Sequence, residues 1–354
     1  MQDFANKQYV YPSLDLMKFI CSVLVVMIHI TPFGEYEFLN FVIHNYVARI
    51  AVPYFFVTSG FLLFRKTSND DFNINYTFKY VLRLLRMYLI WSVVYFYLNY
   101  RIIINDERGS LHGILIYIRD FIFVGSYGGL WYLNATIFSV TLISILIKKK
   151  CSLRLIILLA GILYILGLFD QSWFGLITPL RQIPEFWFGL RLLQKVIVTT
   201  RNGLFEGFLF VGFGMMFAFN LIKITRKKAL WGFIISMLFM FIETIVVRHF
   251  NLAKQQDMYL FLVPVTFFLF DLVLHMEIKE RKIYSILREL SVLIFYIHVW
   301  IIFIVNESFD YLNIDVNSTT LKFILVIFLS ILVSCGILKI SRMKQFWWFQ
   351  YLYS

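Results

Sequence analysis

Asp15, Lys18 and His29 are the only acidic or basic residues in the apolar stretch 14–30, LDLMKFICSVLVVMIHI. An imidazole titrates near neutral pH, so it can take a proton from a hydroxyl and hand it on, the work of a general base. Lys18 lies eleven residues before His29, roughly 16 Å away along a helix at 1.5 Å per residue. That is too far to share the proton step, and it suits Lys18 to holding an anion. Arg83 and Arg86 stand three apart in LRLLR, hence on one helix face, and add planar guanidiniums suited to phosphate. Asp271 falls at the same level as Lys18. At the His29 level fall Glu206, Glu243, Arg248, His298 and the aromatic pair Trp131 and Tyr132. A carboxylate beside an imidazole orients it and stabilises its charged form. Plainer readings stand next to these: internal ion pairs, a satisfied core histidine at His298, an interfacial aromatic belt at Trp131 and Tyr132. Grouping by depth favours chemistry for Lys18, His29 and the arginine pair.

What must position these residues is a set of membrane spans. Of 354 residues, 60% are apolar, 19% aromatic and 15% charged, with a mean hydropathy of +0.76, too apolar for an ordinary soluble domain. The net charge of +12 lies in short loops between apolar runs, as the positive-inside rule predicts, so nucleic-acid binding is set aside. Cys21, Cys151 and Cys335 lack disulfide or metal spacing, and no metal is expected. The first run follows a polar stretch and carries its own charges, unlike a cleavable signal peptide.

A span needs roughly 20 apolar residues. Ten runs qualify, at 14–34, 47–64, 81–103, 129–147, 153–170, 203–222, 229–248, 257–276, 290–306 and 320–340. Every second connection is basic: Arg65, Lys66 and Lys79; Lys148, Lys149, Lys150 and Arg154; Lys223, Arg226, Lys227 and Lys228; Lys279, Arg281, Lys282 and Arg288. The tail, with Lys339, Arg342 and Lys344, is basic too. Glu35 and Glu37 mark the first of the others, Glu307, Asp310 and Asp315 the last. The expected fold is therefore an all-α membrane protein, a single domain over 1–354 with about ten transmembrane helices and both termini cytoplasmic. Two long outward loops, 104–128 and 171–202, contain Phe121–Val124 and Ile183–Val198, a composition that predicts interfacial or re-entrant helices.

On these segments the chain resembles the acyltransferase family 3 membrane proteins. LDLMKFICSVLVVMIHI resembles that family's basic residue followed, after ten intervening residues, by a histidine, and LRLLR its Arg-x-x-Arg. VPYFFVTSGFLL (52–63), LWYLNATIF (130–138), RNGLFEGFLFVGFG (201–214) and LSVLIFYIH (290–298) resemble further family segments, in family order, over nearly the whole chain. Two departures are Lys18 where Arg is commoner and Gly129 where many members have His.

The resemblance implies an enzyme of the bacterial plasma membrane. It would take an acyl group, usually acetyl, from cytoplasmic acetyl-CoA and pass it to a hydroxyl of a cell-surface glycan or other extracytoplasmic acceptor. Asp15, Lys18, Arg83 and Arg86 would handle the CoA. His29 would act as base with Glu206 or Glu243 as partner, and Trp131, Tyr132, Arg201, Asn202 and His298 would lie on the acceptor side. Membrane lipid, and as one option further copies of the chain in a homo-oligomer, complete the expected partners. The chain also resembles the membrane module of the serine racemases linked to vancomycin resistance, so transport of a small polar metabolite such as serine is the second reading. No racemase domain follows the last span, which ends 14 residues before the last residue, and this sets the expectation of an independent role.

Overall fold

In a hydrocarbon medium long apolar runs can satisfy their backbone groups only as helices or closed barrels, and here they form helices. The computed structural model describes residues 11–67, 72–105, 109–313 and 318–354; Asp315 lies outside them. Fourteen α-helices follow in order: α1 (Pro12–Ile30), α2 (Glu37–Val42), α3 (Ala51–Phe64), α4 (Ile74–Val94), α5 (Phe96–Ile104), α6 (Ser110–Phe123), α7 (Trp131–Lys148), α8 (Leu153–Leu168), α9 (Pro184–Ile197), α10 (Phe208–Ala218), α11 (Arg226–His249), α12 (Leu262–Leu274), α13 (Lys282–Leu312) and α14 (Thr319–Ser341). No strand occurs among the described residues.

Among the described residues six helical stretches are long and apolar enough to cross a membrane: Pro12–Ile30, Glu37–Phe64, Gly128–Lys148, Arg226–His249, Lys282–Leu312 and Thr319–Ser341. Three of the expected runs give shorter apolar helices, Leu153–Leu168, Gly203–Ala218 and Leu262–Leu274. The remaining run, 81–103, is shared between α4 and α5, which break at Tyr95. The run at 257–276 shows why length is lost. Glu243 accepts the N–H groups of Leu260 (2.8 Å) and Phe261 (2.9 Å), so the chain enters α12 only at Leu262. Its 13 residues rise about 20 Å, short of the roughly 30 Å hydrocarbon layer. The two long loops at 104–128 and 171–202 hold helices, α6 and α9.

α3 packs along α10, α1 along α13 and α3, α4 along α7, α11 along α12, and α13 along α14. The α3–α10 contact depends on absent side chains. A Cβ on Gly60 would sit 2.3 Å from the carbonyl oxygen of Val211, and one on Gly214 2.2 Å from that of Val57, so the two backbones touch as small residues allow in membrane bundles. Before α10 the chain winds into a π turn, Gly203–Gly207, whose first N–H groups (Leu204, 2.9 Å; Phe205, 3.1 Å) are capped by the Asn202 side chain. Gly203 and Gly207 let this turn close on α7, where a Cβ would meet Ala135 O at 2.6 Å and Ser139 Oγ at 2.5 Å respectively. Turns of this kind recur at functional sites, and this one carries Glu206.

Candidate functional site

α1 and α13 bring the rings of His29 and His298 to 5.1 Å, centroid to centroid. His298 is 0% exposed, and its Nδ1 lies 3.0 Å from the carbonyl oxygen of Ile294, one turn back. That bond makes Nδ1 the donor and leaves Nε2 a bare acceptor with no hydrogen-bond partner. His29, by contrast, is accessible. The groups that act on it electrostatically are Arg201, Arg49, His44 and Asp257, with Arg201 the strongest.

These four form one cluster. Asp257 bonds Arg49 through one carboxylate oxygen and Arg201 through the other, the latter at 3.2 Å. Arg49 is 8% exposed and its other amine lies 3.2 Å from Nδ1 of His44. The Arg201 guanidinium lies 4.8 Å from the centroid of the Trp131 ring, a cation–π contact. Asp257 stands in the loop before α12. The loop itself is tied down: Lys254 bonds Asp170 (2.6 Å), its N–H reaches the carbonyl of Gln171 (3.0 Å), and the Gln171 amide donates to Thr199 (3.1 Å) and Gln255 (3.3 Å). The backbone N–H of Arg201 donates to Thr199 Oγ1 at 3.1 Å.

Glu206 joins this group and Glu243 does not. Glu206 is buried, its Oε2 has no hydrogen-bond partner, and Arg201, Asp257 and Arg49 are the charges acting on it. Glu243 spends both oxygens on Trp173 Nε1 (3.0 Å) and on the N–H groups of Leu260 and Phe261, which makes it an anchor for the α11–α12 loop. Arg248 pairs with Glu37, outside the cluster. Tyr132 turns its hydroxyl to Ser59 (2.8 Å) and the carbonyl of Phe55 (3.1 Å). Asn202 caps the π turn. A Cβ at Gly129 would stand 3.4 Å from the Phe295 ring, so an aromatic edge occupies the space beside that position.

At the other end of α1, Asp15 is buried and 3.7 Å from Arg288, and Asp15, Arg288 and Arg83 are the charges that act on Lys18. Lys18 and Arg288 thus share the Asp15 carboxylate, with Arg83 near enough to act on Lys18. Arg86 lies apart from them, with its amine 2.9 Å from the carbonyl of Ser354 and its guanidinium 3.9 Å from the centroid of the Tyr351 ring. Asp271 faces His275 at 3.6 Å rather than Lys18. No group of three or more His, Cys, Asp or Glu side chains placed to hold a metal ion occurs among the described residues.

Arg49, Asp257, His44 and Arg288 belong to these two clusters and were not singled out by the sequence reading. Arg49 carried the same signal as Lys18, a charge inside an apolar run, and the same rule finds it. Asp257 sits at the edge of its run and gives no such signal.

The profile of the family described as acyltransferase domain matches residues 11–339. An amino-acid racemase of Enterococcus faecalis is 32% identical over 341 residues, covering 93% of this chain and 46% of that protein. A second amino-acid racemase of the same organism is 30% identical over 277 residues, with 78% and 37% covered. A serine/alanine racemase of Enterococcus gallinarum is 30% identical over 265 residues, with 74% and 37% covered. The chain spans less than half the length of each. No solved structure matches it.

Proposed function

Since the chain belongs to the acyltransferase domain family, acyltransferase family 3, we propose that this multi-pass membrane protein moves an acetyl group from cytoplasmic acetyl-CoA to a hydroxyl on the far side of the bacterial plasma membrane. The observation that carries this reading is the pairing of two clusters along one helix. Lys18 lies near one end of α1, where Arg83 and Arg288 act on it, and His29 lies near the other, where Arg201, Arg49, His44 and Asp257 act on it. The eleven-residue separation is roughly 16 Å of helix, a length that an extended pantetheine arm can bridge while its phosphates stay among the cations.

In this reading Lys18, Arg83 and Arg288 hold the CoA phosphates, with Arg86 at the mouth, and the excess of three cations over Asp15 suits a polyanion. His29 takes the proton of the acceptor hydroxyl. His298, buried against His29 with Nε2 free, fixes the far wall of that site. Ten spans with both ends cytoplasmic, α6 and α9 lying at the outer interface, and a cell-surface glycan as acceptor complete the proposal. The charge alternation of the loops supports the orientation. The second reading, transport of a small polar metabolite such as serine, is favoured by the racemase names of the relatives.

Calorimetric titration of the purified protein with acetyl-CoA separates the two. The acyltransferase reading requires saturable binding that weakens at least tenfold in an Arg83→Ala, Arg86→Ala variant. Absence of binding at millimolar acetyl-CoA would favour transport.

A further inference from the structure

We infer that Arg201 is the oxyanion-stabilising group of the acyl transfer, and that Arg49 and Asp257 are positioning residues that hold it in place. This rests on the acyltransferase reading and adds to it the group that carries the negative charge of the transition state. In the step concerned, the acceptor oxygen gives its proton to the His29 imidazole and forms a bond to the thioester carbon. The carbonyl electron pair moves onto the carbonyl oxygen. When that pair returns, the carbon–sulfur bond breaks, and the CoA thiolate leaves and takes the proton from the His29 imidazolium. Between these events one oxygen bears a full negative charge, and catalysis depends on a donor fixed there beforehand.

Four observations select Arg201. Of the charged groups whose field reaches His29, Arg201 has the largest effect, and its guanidinium lies 4.8 Å from the centroid of the Trp131 ring. A fixed cation next to a general base opposes proton uptake, unless an anion forms in the same step; an oxyanion does. Two guanidiniums share the single carboxylate of Asp257, so that pairing leaves a positive charge in excess. Finally, the two arginines are unequal in access. Arg49 is 8% exposed and locked between Asp257 and His44, whereas Arg201 is 36% exposed. Asp257 on one edge and the Trp131 face on the other fix the guanidinium plane, which is the preorganisation an oxyanion donor needs. The ties from Lys254 and Gln171 to the Asp257 loop extend that rigidity outward. Among the described residues Arg201 has no ion-pair partner besides Asp257.

The test uses sealed inside-out membrane vesicles containing the full chain, given radiolabelled acetyl-CoA, with alkali-labile label in membrane material as the product. Arg201→Ala should lower turnover about 10²–10³-fold while the purified variant binds acetyl-CoA as the parent does, which also shows that it is folded. Methylguanidine at millimolar concentration should restore part of that turnover, and Arg201→Lys should retain more than Arg201→Ala. Asp257→Asn should lose about tenfold to a hundredfold, the scale of misplacing a reacting group, and methylguanidine should not help it. Turnover of Arg201→Ala within tenfold of the parent would overturn the inference, as would an acetyl-CoA-binding Arg201→Ala protein that methylguanidine and the lysine variant leave inactive. A parent chain that transfers no label would instead overturn the acyltransferase reading, and the inference with it.

Discussion

In the proposed function Lys18 and His29 divide one helix between binding and proton transfer, so losses at its two ends should differ in kind. His29→Gln should lower turnover by about 10²–10⁴-fold, the usual contribution of a general base, with acetyl-CoA affinity within a few-fold of the parent. Steady-state transfer rates beside a binding titration check this, and near-normal turnover would move the base to Glu206 or His298. Lys18, His29, Arg83, Arg86 and Glu206 are legible in the sequence because an ionisable side chain in an apolar run is expensive and stands out. Arg49 stands out equally and was passed over among the basic loops. Asp257 is different: only the folded loop shows that two guanidiniums meet on it. Arg201 entered the sequence reading through family resemblance, and its contact with Trp131 joins segments 70 residues apart in the chain, which no local pattern reveals.

Helices are legible by length and hydropathy, but their ends are set by contacts. The run at 257–276 reads as a continuous span, yet the carboxylate of Glu243 stops the helix at Leu262 by taking two backbone N–H groups and the Trp173 indole. The same bonds explain why Glu243, a plausible histidine partner on depth alone, is committed elsewhere. Glu243→Ala should orphan those donors at about 1–3 kcal/mol for each one left buried. The expected result is a clearly lower melting temperature in detergent; an unchanged one would show that the loop anchors itself without Glu243. Transfer should fall as well, because the loop carries Asp257. The π turn at Gly203–Gly207 is another feature hidden from periodicity, since apolar residues continue through it without a break. Its cause is Asn202 capping on one side and the glycine contact with α7 on the other.

For the whole molecule, the all-helical membrane architecture follows from composition, and six stretches reach full spanning length. Of the shorter helices, α12 and the Gly203–Ala218 segment bury much of their length against neighbouring helices, which can satisfy what a lipid-facing span would need to satisfy alone, whereas α8 leaves Leu155, Leu158, Ile162 and Ile165 exposed. The account makes the molecule a conduit with its donor mouth and its acceptor mouth on opposite faces, so the direct test is a sided one. In sealed inside-out vesicles radiolabelled acetyl-CoA reaches only the cytoplasmic face. The account predicts alkali-labile label on lumen-facing acceptor, dependent on His29 and on the Arg83 and Arg86 pair. Labelled serine accumulating in those vesicles, with no label incorporated from acetyl-CoA, would contradict it.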